Sequence, residues 1–114
     1  MLTIQALQAY GADTRDGLSR CMDNEAFYLR LVGMLKADTH LADLEKALDD
    51  GDVKAGFDAA HALKGVLANL SLTPLLEPIS DITERLRAGS AEGCGPLLAR
   101  ARERMEALLA LMDP

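Results

Sequence analysis

The chain has 114 residues and a net charge of −6, which leaves room for one domain of ordinary size. Hydrophobic residues make up 49% and aromatics only 4%, with no Trp, so the core must be built from aliphatic side chains and Met. The acidic balance excludes a nucleic-acid binder, which needs a basic face to track phosphates; Arg100, Arg102 and Arg104 are interleaved with Glu103 and Glu106 and read as a solvated helix face.

Ala, Leu, Glu and Arg are abundant and strand-favouring residues are scarce, which predicts an all-α fold. Thr3 caps a short helix through Tyr10, stopped by Gly11, and Asp13 caps a second to about Met22. Asp23 or Asn24 opens a long segment with Phe27, Leu31, Met34 and Leu35 inward, then Leu41, Leu44 and Leu48. Its register wavers around Ala37–His40, where a kink or break is expected. Gly51 ends it and Asp52 caps a helix from Val53 to about Leu70, with Val53, Phe57, Ala60, Leu63, Leu67 and Leu70 as its apolar stripe. Thr73 is read as the next cap, with Pro74 at the first helical position. Pro78 then predicts an irregular first turn or a helix that begins near Pro78, ending by Gly89. Gly93-Cys94-Gly95 is read as a loop, with Pro96 opening a last helix through Met112 whose inward residues are Leu97, Ala101, Met105, Leu108 and Met112.

Short connections between four long segments predict an antiparallel up-and-down four-helix bundle. The expected organisation is a single domain over 1–114, with short N-terminal helices in 1–22 and the bundle in 23–112. No apolar run reaches the roughly 20 residues of a membrane span, and the N-terminus has no basic and apolar signal regions. Cys21 and Cys94 form no CxxC and read as free thiols in a reducing compartment. A monomeric cytoplasmic protein with no membrane contact is the expectation.

Chemistry can reside in two histidines. His40, among Asp38, Thr39 and Asp43, reads as a surface polar residue. His61 sits mid-helix, about 120° from the centre of the apolar stripe at 100° per residue, and is expected at the bundle's outer edge. Lys64 and Gly65 neighbour it at i+3 and i+4, and Ala62 and Ala68 keep the surroundings low. An imidazole, with an ordinary pKa of about 6.5, offers an unprotonated nitrogen near neutral pH, and an ammonium one turn away can neutralise a phosphoryl group placed there. Glycine inside a helix costs about 1 kcal/mol relative to Ala, so a missing side chain beside His61 needs a reason. For an isolated H-x-x-K-G the default reason is bland: a solvated histidine, a snorkelling lysine and a glycine that admits a neighbouring helix. A metal or cofactor bundle would need inward Glu and Glu-x-x-His sets, which two such histidines do not supply.

The run Ala60-His61-Ala62-Leu63-Lys64-Gly65, continued by Ala68-Asn69-Leu70, resembles the signature of histidine-containing phosphotransfer (HPt) domains. The resemblance extends upstream over Glu25–Val32, Leu44–Leu48 and Gly51-Asp52, and downstream over Leu72, Leu75, Ile79 and Ile82 to Gly89. It implies a four-helix bundle in which His61 accepts and donates a phosphoryl group on Nε2, to and from receiver-domain aspartates of a response regulator or hybrid histidine kinase. Lys64 would steady the phosphoryl group, and Gly65, Ala68 and Ala62 would admit the partner. The Mg²⁺ would belong to the receiver, so no cofactor or metal is expected in this chain. It would be a phosphoryl carrier with no ATP-binding or kinase domain, not an enzyme. The alternative is a bundle that binds a receiver or kinase without being phosphorylated. Two departures from the family pattern bear on the site. Ser71 stands where members often have the glycine that ends the histidine helix. Thr83 occupies the position from which a Glu or Gln often reaches the imidazole, making it the expected ring-orienting residue, with Glu84 about 100° further round.

Overall fold

The computed structural model describes residues 1–113, and among these every regular element is helical. The seven α-helices are α1 (Ile4–Tyr10), α2 (Thr14–Arg20), α3 (Glu25–Gly33), α4 (His40–Asp49), α5 (Val53–Asn69), α6 (Thr73–Arg87) and α7 (Cys94–Ala110), with a 3₁₀ turn Met34–Ala37 between α3 and α4. Helix α5 packs between α4 and α6, and α7 packs on α6. An ion pair between Arg102 and Glu45 links α7 to α4. Connections of a few residues make successive packed helices antiparallel, so the expected all-α bundle is the one observed. No described helix is long and apolar enough to cross a membrane.

The helix starts follow side-chain capping. Thr3, Asp13, Asn24 and Asp52 each accept a hydrogen bond from the backbone N–H three residues on, which satisfies a donor that the first turn leaves free. The break expected near Ala37–His40 is the 3₁₀ turn, after which Asp38 is extended. Helix α2 stops at Arg20, short of Met22, because Met22 and Asp23 take left-handed backbone conformations.

Three expectations fail, each for a physical reason. On α3 the buried residues are Tyr28 and Val32, followed by Leu35 in the turn, while Phe27 and Met34 are 40% and 62% exposed. Tyr28 wins because its ring lies against Gly17, where a Cβ would stand only 2.5 Å from it. Its hydroxyl donates to the Leu70 carbonyl at 2.8 Å, so the one aromatic core residue is buried with its polar tip satisfied. Helix α7 starts at Cys94, not at Pro96: Gly93 takes the left-handed conformation just before it, and Cys94 is buried. Finally, Thr73 is the first residue of α6 and makes no side-chain cap.

Pro78 neither delays nor breaks α6, which runs unbroken from Thr73 to Arg87. Without an N–H, Pro78 leaves the Pro74 carbonyl without its helical partner. Arg104 of α7 fills that vacancy, donating from Nη1 at 2.6 Å. The same residue's backbone carbonyl accepts from the Tyr10 hydroxyl at 2.9 Å, so α1, α6 and α7 meet there.

The turn after α5 is the junction that sets the site. Ser71 is left-handed at φ 54, its N–H bonds Ala68, and the Leu72 N–H bonds Leu67. This is the glycine-type helix stop made by a serine, at a backbone strain of about 1–2 kcal/mol. Its compensation is tertiary: the Ser71 hydroxyl donates to Asp16, and its carbonyl accepts from the Asp13 N–H.

Two measurements test these ties. Arg104→Met should destabilise the parent by about 1–2 kcal/mol, and by about 1 kcal/mol less in a Pro78→Ala background, where residue 78 regains an N–H for the Pro74 carbonyl. Denaturant unfolding of the double-mutant cycle measures this, and equal losses in both backgrounds would refute the account. The Ser71 hydroxyl, then Arg20, hold the Asp16 carboxyl below its ordinary 3.8. A depressed carboxylate stabilises fully above its unfolded value and loses that contribution as pH falls through its folded value. Asp16→Asn should therefore be less stable than the parent near neutral pH, the difference closing in acid below the ordinary carboxylate range; a pH-independent difference would exclude the anchor.

Candidate functional site

One face of α5 is closed and the other open. Ala60, Leu63 and Leu67 are completely buried, and Leu70 nearly so; each fully buried Leu contributes about 1.5–3 kcal/mol, which fixes the helix's rotation. That rotation puts His61, Ala62 and Gly65 in solvent and leaves Lys64 and Ala68 half-buried. All five candidate residues on α5 thus lie on or beside one exposed strip.

At Gly65 the account of a glycine that admits a neighbouring helix fails. A Cβ built on it meets nothing within 4 Å. Among the described residues nothing packs against it, so its absent side chain makes no room for a neighbouring helix. By contrast, Gly56 on the closed side of the same helix would bring a Cβ to 3.3 Å from Leu86.

To one side of His61, toward α6, charged groups form a chain. Lys64 Nζ lies 3.6 Å from the Glu84 carboxylate. Arg87 Nε donates to both oxygens of Glu84, at 3.2 and 3.3 Å, and the Arg87 guanidinium carbon is 5.0 Å from the centre of the Phe57 ring. Phe57 in turn stacks on His61, with ring centres 5.3 Å apart and planes within 13°. On the other side, a mainly apolar groove of about 460 Å³ runs between α5 and the α3 region, lined by Leu31, Met34, Ala37, Val66 and Leu70 with the polar Asp38 and Asn69.

Thr83 does not orient the imidazole. It is fully buried, and its hydroxyl donates at 2.7 Å to the Ile79 carbonyl of its own helix. A threonine on the apolar face of α6 is too short to leave the core, and back-bonding satisfies it there. Sequence reasoning placed Phe57 in the core stripe and missed Arg87; the i−4 spacing of Phe57 from His61 was the available signal. His40 is held by Asp38, which meets its Nδ1 at 2.9 Å, at the start of α4. Among the described residues no group of three or more His, Cys, Asp or Glu could hold a metal ion.

A family model, the Hpt domain, matches residues 34–111, and the chain belongs to that family. The matched span takes in α4–α7 and leaves α1–α3 outside. No curated protein and no solved structure matches the chain. Hpt domains are helical phosphocarriers of histidine phosphorelays and work with receiver domains and kinases of two-component systems.

With the Cβ position of Gly65 empty, Gly65→Ala should raise stability by about 1 kcal/mol, the difference in helix propensity. Thermal or denaturant unfolding measures it, and a loss of stability would show that the position is packed.

Proposed function

We propose that this protein carries a phosphoryl group on His61, taking it from and returning it to receiver-domain aspartates of a response regulator or hybrid kinase. The observation that carries the reading is the vacancy at Gly65, one turn beyond an exposed histidine and beside a half-buried lysine. A helix keeps a glycine at about 1 kcal/mol of cost where no described residue packs against it, which points to an approaching partner.

In the transfer, His61 Nε2 attacks phosphorus in line with the aspartyl oxygen. The N–P bond forms as the O–P bond breaks, and the electron pair leaves with the aspartate carboxylate; the reverse step restores it. Little covalent work falls to the protein, so positioning and charge neutralisation do most of it. Lys64 supplies the neutralising charge. Its pair with Glu84 is long and partly exposed, and exposed pairs are worth about 0–1 kcal/mol. Lys64 can therefore turn from Glu84 to an incoming phosphoryl group at small cost, and Glu84 keeps its two bonds to Arg87.

The docking surface runs from Ala62, Gly65 and Ala68 into the apolar groove, where Met34 is largely exposed. The receiver brings its own Mg²⁺ and acidic pocket, and this chain contributes no cofactor and no kinase chemistry. It works as a cytoplasmic monomer that releases its partner after each transfer.

Incubation with a phosphorylated receiver should yield acid-labile, base-stable label on the protein. His61→Gln should abolish the label, and Lys64→Ala should slow its appearance about tenfold as a charge-stabilising group is lost. Gly65→Gln should fold and yet be labelled slowly, through blocked docking. Label persisting in the His61→Gln protein would overturn the proposal; a complex that forms without any label would make the chain an interaction module.

A further inference from the structure

An exposed imidazole rotates freely unless something holds it. With Thr83 turned into the core, the hold on His61 comes from its own helix: Phe57, one turn earlier, lies 5.3 Å away and nearly parallel. That separation is within the range of offset-stacked rings, which attract each other beyond the area they bury. Phe57 is itself only half-buried, packed on the core from outside it, and needs support of its own. Arg87 supplies it from α6, 5.0 Å from the Phe57 ring and fixed by both Glu84 oxygens.

We propose that Phe57, steadied by Arg87, is the residue that positions the His61 imidazole for phosphoryl transfer. This rests on His61 being the phosphoacceptor. The geometry suits that task, because the nitrogen lone pair of an imidazole lies in the ring plane. Stacking covers a face and leaves the edge free, so the ring is oriented without occupying the nitrogen that attacks. Holding a nucleophile in an attack geometry is where much of the rate of a positioned reaction originates. The assembly also couples the ring to its cation: Phe57, His61 and Lys64 project from α5, and Glu84 and Arg87 of α6 connect the first to the last.

The test is single-turnover transfer from a phosphorylated receiver at varied receiver concentration, with His61 ring resonances followed by NMR in the same proteins. Phe57→Leu keeps an apolar side chain and removes the ring. It should lower the saturating rate about tenfold with the half-saturating receiver concentration unchanged, and its His61 ring protons should lose the ring-current shift. Phe57→Tyr should restore both readings, and Arg87→Gln should lower the saturating rate about two- to threefold. Wild-type rate in Phe57→Leu, unchanged His61 resonances, failure of Phe57→Tyr to restore the rate, or a change confined to half-saturation would each overturn the proposal. Failure of the underlying reading looks different: the parent protein would take no label, or His61→Gln would take it equally.

Discussion

The site depends on one constraint: α5 must bury one side completely while leaving the other bare. Ala60, Leu63 and Leu67 have no exposed surface, and their burial outweighs by several fold the roughly 1 kcal/mol that a mid-helix glycine costs. The core therefore tolerates Gly65, and it also dictates where His61 points. A rotation of α5 by one residue, about 100°, would bury the imidazole and expose a leucine. Display of His61 is a consequence of packing on the far side of the same helix.

Rigidity is distributed unevenly along that helix. Its C-terminal end is tied by the Tyr28 hydroxyl on the Leu70 carbonyl and by Ser71, whose side chain and carbonyl are held by Asp16 and Asp13. Two of these three partners, Asp13 and Asp16, lie in or beside α2, and all three precede the part of the chain matched to the family. The N-terminal helices thus do for this bundle what a glycine after α5 does by backbone freedom alone. Nearer His61 the interactions are weaker and more exposed: a long Lys64–Glu84 pair, a cation over a half-buried ring and a stack of two rings. A firm helix end beside adjustable side chains is a sound arrangement for a carrier that must accept charge and then release it.

Most of the bundle was legible in the sequence because local rules govern it. The caps at Thr3, Asp13 and Asp52, the stops at Gly11, Gly51 and Gly89, and the stripe of α5 are short-range signals. The misread elements are those decided by distant residues. Tyr28 is buried because Gly17 makes room and Leu70 accepts its hydroxyl, neither of which the spacing of Phe27, Leu31 and Met34 reveals. Pro78 sits inside a continuous helix because Arg104, 26 residues on, takes the stranded carbonyl. In the site, exposure of His61 followed from periodicity, whereas the vacancy around Gly65 and the partners of Lys64 depend on how α6 packs beside α5.

Replacing a hydrogen bond by a stack changes what is controlled at the imidazole. A hydrogen bond to one ring nitrogen fixes both orientation and tautomer, since the bonded nitrogen sets which one carries the proton. The stack on Phe57 fixes the ring plane and leaves the tautomer to solvent. The penalty is bounded by population: if the attacking nitrogen is unprotonated in only one-fifth of the molecules, the rate falls fivefold, about 1 kcal/mol. Misplacing the ring is the more serious loss, since loss of attack geometry can reach a hundredfold. At an exposed histidine, where water exchanges the proton readily, orientation is the property the protein has most reason to control. In the proposed transfer, Phe57 and Arg87 act on that one.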